Sequence, residues 1–213
     1  MDLSGVAQLL QLCKAHKIRT YTAFNFRFHP VLLWLQENLK VKRVLEAQAY
    51  CGSYLPDWRP GRDYRNVYSA KKALGGGVHL DLIHELDYLL WLFGDPEVVT
   101  SFRNKVSDLK IDSPDFAQYW LRYPKLNISV ILNYYRRDPK RQLEIVLEDD
   151  TWIADLLHGT VINANGKILF EDRRPVSETY SRQMKYFIDG LKLDEPYMNS
   201  LSDSVKTLKY CLG

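Results

Sequence analysis

Between Gly77 and Phe93 the sequence reads as a mostly apolar helix whose polar groups include Asp81, His84, Glu85 and Tyr88. At 100° per residue these share one stripe, while Leu82, Leu86, Leu89, Leu90 and Phe93 mostly point elsewhere. A carboxylate one turn from an imidazole suits proton transfer. Asp81 would hold His84 in one tautomer and leave its other nitrogen to exchange a proton with a substrate. The same stripe also fits the solvent face of an amphipathic helix, and the residues alone leave both readings open. His79-x-Asp81-x-x-His84 also suggests metal ligation by a hydrolase. That reading is weaker, because His79 lies about 160° around a regular helix from Asp81.

Gly75-Gly76-Gly77 precedes this helix and either lets a ligand approach the backbone or makes a turn. It is not a dinucleotide fingerprint, since the third required glycine would fall at Leu80 and no long strand leads into it. A second polar concentration lies at Trp58, Arg59, Arg62, Asp63, Tyr64 and Arg65. Guanidinium forks match carboxylates and phosphates, and aromatic faces stack on sugar rings, so an acidic or nucleotide-linked sugar fits this loop. A solvated loop with its rings tucked inward fits as well.

The elements that must position these groups follow from periodicity. Asp2 or Ser4 caps a first helix with Leu3, Val6, Leu9, Leu10 and Cys13 at helical spacing. Residues 18–24 read as a strand, and Pro30 opens a helix with Val31, Leu32, Leu35 and Leu39 on its apolar face. A strand is expected over 44–50, then the long irregular stretch 51–74, a length that usually signals function. Gly94 and Pro96 close the polar helix. Strands follow at 98–103, 116–123, 126–134, 142–147 and 151–154, and Asn165-Gly166 marks a hairpin between 161–162 and 167–170. Two helices, about 178–188 (stopped by Gly190) and 201–211, end the chain. Helices first and a strand meander after predict an α+β domain with helices on one face of a mostly antiparallel sheet.

Bulk properties narrow the class. The 213 residues suffice for one sizeable domain that folds without metal or disulfide. A net charge of +3, from 29 basic and 26 acidic residues without a basic stripe, argues against nucleic acid. Three dispersed cysteines (Cys13, Cys51, Cys211) fit a reduced compartment, and the apolar stretch near 86–93 is too short to span a bilayer. A soluble cytoplasmic protein is expected, with no signal peptide.

The run from Gly75 through His79, Asp81, His84 and Tyr88 to Gly94 resembles the catalytic helix of the Gfo/Idh/MocA oxidoreductases. Phe24-Asn25-Phe26-Arg27-Phe28-His29-Pro30 is similar to the segment where that family's chain leaves its Rossmann domain. The loop from Trp58 to Tyr68 resembles the substrate loop of a subgroup linked to surface-polysaccharide and amino-sugar metabolism. The resemblance implies hydride transfer between NAD or NADP and a sugar or nucleotide-sugar. His84 would be the proton donor or acceptor with Asp81 as its partner, and Asn25 and Arg27 would lie on the cofactor side. It further implies a homo-oligomer formed through the open sheet face. Many members space the Asp and His four apart, against three here. Residues 1–25 are then expected to be the remnant helix and strand of a Rossmann domain, and 26–213 the substrate-binding domain. The family's dinucleotide fingerprint and its Glu-Lys-Pro segment would precede residue 1, so this chain alone is expected to bind no cofactor. The competing reading is a non-catalytic sugar-binding or oligomerisation module.

Overall fold

The computed structural model describes residues 3–193 and 196–213. Eight strands form one sheet: β1 (Val44–Gly52), β2 (Val98–Asn104), β3 (Phe116–Arg122), β4 (Asn127–Asn133), β5 (Lys140–Leu147), β6 (Thr151–Asp155), β7 (Thr160–Asn163) and β8 (Ile168–Glu171). Their order is β2-β3-β4-β1-β5-β6-β7-β8. β1 and β4 run parallel, and the other neighbouring pairs are antiparallel. The helices are α1 (Val6–Ala15), α2 (Pro30–Asn38), α3 (Val78–Asp81), α4 (His84–Phe93), α5 (Glu178–Gly190) and α6 (Leu201–Leu212).

The sheet obeys the two-residue period that a half-buried sheet demands. Ala117, Tyr119 and Leu121 of β3 are fully buried, as are Ile128, Val130 and Leu132 of β4 and Leu143 and Ile145 of β5. They join Val31, Leu32 and Leu35 of α2 and Leu86, Tyr88 and Leu89 of α4 in one core. The alternate positions face away. One cross-strand row there reads Thr100, Trp120, Ser129, Gln48, Glu144 and Ile153. No helix among the described residues is long and apolar enough to cross a membrane.

Three local expectations change. Residues 18–24 are extended but pair with no strand. They run instead beside the carboxyl-terminal segments: Thr22 exchanges two hydrogen bonds with Asn199, and Tyr21 packs against Tyr186, Phe187 and Tyr197. A sequence that suits a strand stays unpaired when no edge is within reach. The N-cap of α1 is Gly5 at φ 76°, without a side-chain cap; Ser4 lies in the preceding turn, and Asp2 is outside the described residues. Gly190 does not stop α5 but lies in it, against Tyr197; a Cβ there would sit 2.3 Å from the tyrosine ring.

The expected helix from Gly77 to Phe93 is broken. Leu82 leaves helical geometry at φ −105°, ψ 28°, and the chain tightens there, with Ile83 N–H bonded to Leu80 C=O. α3 and α4 are therefore separate, and a regular 100° step does not carry from Asp81 to His84.

Candidate functional site

A cavity of about 310 Å³ opens where the break places the start of α4. Its lining includes Phe26, Cys51, Trp58, Asp81, His84, Arg141 and Tyr180. His84 is half-buried, its ring edge-on to Phe24 at 5.5 Å and tilted against Phe26 at 5.3 Å. Its Nδ1 is shut off from solvent and has no partner, which leaves Nε2 to meet a ligand. Its pKa is lowered to about 4, chiefly by burial, with Glu85 pulling up and Arg141 pushing down. The imidazole is thus neutral near pH 7.

Asp81 and His84 line the same cavity but share no hydrogen bond. Asp81 accepts from the Tyr134 hydroxyl at 2.5 Å. Trp58 stands edge-on to Tyr134 at 5.3 Å and donates Nε1–H to Ser53 Oγ at 2.8 Å. His79 lies apart, in a second cavity with Lys72, Arg103 and Leu212. Among the described residues no group of three or more His, Cys, Asp or Glu could hold a metal ion.

The loop residues separate. Trp58 alone of the six reaches the His84 cavity. Arg59, Arg62 and Asp63 line an adjoining depression with Tyr68, over whose ring the Arg59 guanidinium sits at 5.4 Å. Arg65 is paired with Asp63 at 2.6 Å, and the Tyr64 hydroxyl accepts from Lys110 N–H, on the side away from His84.

Asn25 and Arg27 are both buried and internally committed. Asn25 donates to Thr179 Oγ1 at 2.8 Å, and Arg27 grips Asp87 bidentately at 2.9 and 2.8 Å. The triple glycine is equally occupied: a Cβ on Gly76 would lie 2.2 Å from the Tyr68 carbonyl, so these residues pack on the chain's own loop. Asn25, Arg27 and Gly76 therefore do not fit the pyrophosphate of a nicotinamide dinucleotide.

Comparison with protein families resolves what this scaffold is. The model of the GFO/IDH/MocA C-terminal domain matches residues 41–153. The chain belongs to the GFO/IDH/MocA family. Solved structures share the fold of this family member at low identity. UDP-N-acetylglucosamine 3-dehydrogenase GnnA from Acidithiobacillus ferrooxidans superposes with a TM-score of 0.78 at 17% identity, covering 100% of this chain and 65% of that one. The WlbA dehydrogenase from Bordetella pertussis, solved with NADH and UDP-GlcNAcA, gives 0.71 at 15%, over 95% and 63%. A probable dehydrogenase from Thermotoga maritima gives 0.74 at 21%, over 99% and 66%. The GFO/IDH/MocA chain described here thus spans about 65% of the length of the structures it matches. A comparison with curated protein sequences finds no match.

Sequence reasoning missed Tyr134, Tyr180, Cys51 and above all Arg141. Arg141 Nε donates to Glu85 Oε1 at 2.6 Å, with Glu85 completely buried. The signal was available: a carboxylate in an apolar helix must find a cation, and Arg141 is one of the few near a predicted strand start.

Proposed function

We propose that this chain is the substrate-binding domain of an oxidoreductase acting on a sugar or nucleotide-sugar, with residues 26–213 forming that domain and 1–25 belonging to a dinucleotide-binding unit. The observation that carries the reading is His84, neutral and presented through Nε2 to a cavity large enough for a monosaccharide. In the oxidative direction His84 accepts the proton of the reacting hydroxyl; in the reverse direction it returns it. Asp81, held by Tyr134, supplies an acceptor for a second sugar hydroxyl, and Trp58 offers a ring edge or face to the sugar. Arg59 and Arg62 follow Trp58 in the same loop, where they would meet the phosphates of a nucleotide-sugar. NAD or NADP, the redox partner, would be seated by residues other than those described. The open sheet face, with Trp120 49% and Phe102 58% exposed, is where a second copy would pair.

Calorimetric titration of the chain with UDP-N-acetylglucosamine tests this. Saturable binding is expected, weakened about tenfold by Arg59→Ala with Arg62→Ala, the worth of one lost charge-assisted contact. Absence of binding at millimolar ligand, or indifference to both substitutions and to Trp58→Ala, would overturn the reading.

One observation favours a second reading, a binding module without redox chemistry: Asn25 and Arg27 are bonded to Thr179 and Asp87 and offer nothing to a cofactor. Tight NADH binding by the isolated chain would dispose of it.

A further inference from the structure

The His84 cavity has one wall that proton transfer does not use. Arg141 stands on it near the start of β5, its side chain 15% exposed above the fully buried Glu85. Two of its donors are fixed: Nε to Glu85 Oε1 at 2.6 Å and Nη2 to Oε2 at 3.2 Å. The guanidinium also lies 3.9 Å from the centre of the Phe26 ring, the same ring that touches His84. A guanidinium has five N–H donors, so three remain, two on Nη1 and one on Nη2. No described oxygen accepts them, the Cys51 thiol lies beside the guanidinium, and they form the second fork of the same group. That fork is immobilised before any ligand arrives, so binding to it costs little further ordering.

Charge narrows what the fork would hold. A neutral hydroxyl needs only a neutral donor, which a chain obtains without the desolvation cost of burying an ion pair. Lys140, the neighbouring residue, adds a second cation at the rim. Its ammonium rests 5.3 Å from the Tyr50 ring, and no carboxylate lies within ion-pair distance of it among the described residues. Glu85 is the anion bonded to Arg141 at the start of β5; Asp81 lines the cavity from α3, where its carboxylate accepts from Tyr134. An arginine pinned by one carboxylate and open toward a cavity is matched by a second carboxylate.

We propose that Arg141 is a specificity-determining residue that receives a carboxylate carried by the sugar, so that the cavity selects sugar acids over neutral sugars and orients them toward His84. The inference rests on the sugar-binding reading above and adds the substrate's charge to it. Glu85 is then a positioning residue, since it acts only by aiming the guanidinium.

UDP-glucuronate and UDP-glucose, which differ only at the sugar's C6, supply the test by calorimetry on the full chain. The unaltered protein is expected to bind the glucuronate at least about tenfold more tightly. The double variant Glu85→Gln/Arg141→Gln keeps a neutral hydrogen-bonded pair in place of the ion pair, so no buried charge is stranded. It should bring the ratio to about one, and the ratio is the readout because a general loss of affinity lowers both ligands together. Equal binding of the two ligands by the unaltered chain overturns the carboxylate role and leaves the sugar reading standing. Retention of the preference in the double variant does the same. Failure of both ligands to bind overturns the sugar reading and the proposal with it. The first comparison needs no variant, so a misfolded mutant would not shelter the claim.

Discussion

The Tyr134 hydroxyl donates to Asp81 Oδ2 at 2.5 Å, joining the last residue before the break after α3 to the chain just beyond β4. Tyr134 is fully buried, so this bond anchors the segment leading into α4 to the sheet. Tyr134→Phe should cost about 1.5–3 kcal/mol, the usual loss for a hydrogen bond to a charged acceptor. Urea unfolding measures it. Because Asp81 does not touch His84, Asp81→Asn should leave the His84 titration, followed by NMR of the ring protons, within about half a pH unit. A larger movement would restore Asp81 as the histidine's partner.

Two buried imidazoles and the half-buried His84 make stability fall in mild acid. His29, His79 and His84 are each lowered to about 4 from 6.5, burial being the first cause in every case. Between those limits the unfolded chain binds protons that the folded chain refuses, so stability is complete above about pH 6.5 and declines toward pH 4. His29 and His79 are 3% and 7% exposed, so each should forfeit up to roughly 3 kcal/mol across that window. Urea midpoints at successive pH values check the slope; a flat profile from pH 6.5 to 4 would show these rings to be charged in the fold. The same shift keeps the His84 imidazole unprotonated down to about pH 5, where an ordinary histidine would be protonated.

The fold was legible because its signals are local and periodic. The alternation of Ala117, Tyr119 and Leu121 against Gln118 and Trp120, and the Asn165-Gly166 turn with Gly166 at φ 75°, are each written within a few residues. The site was legible only in part. His84 stood out as an imidazole on an apolar helix, and Trp58 as an aromatic in a long loop. The partner of Asp81 comes from 53 residues away and that of Glu85 from 56, separations at which no periodicity operates. The break at Leu82 carries no glycine or proline to announce it. Tertiary packing imposed it against helical propensity.

Arg27 and Asp87 form the best enclosed ion pair of the molecule's described part, with side chains 10% and 0% exposed. Arg27 tethers the turn Asn25–Phe28 to α4, so it holds Phe26 against His84. Arg27→Met should cost about 3–5 kcal/mol, because it strands a carboxylate whose pKa burial already raises. Arg27→Met combined with Asp87→Leu should recover most of that loss. Denaturation of the single and double variants decides it: equal losses would mean that the pair contributes shape and not charge compensation.

The open face of the sheet gives the last expectation. Trp120 and Phe102 stand there 49% and 58% exposed on β3 and β2, with Val98 42% exposed at the start of β2. Water gains nothing from covering these groups with polar neighbours such as Gln118 and Thr100, whereas a second copy would remove them all at once. A twofold contact repeats each group across the axis, so one substitution acts twice. Trp120→Glu should therefore convert an associated form to monomer in sedimentation at micromolar concentration, with little change in thermal stability of the monomer, since Trp120 packs outside the core. A chain that sediments as a monomer before the substitution would remove the open face from consideration as an assembly surface.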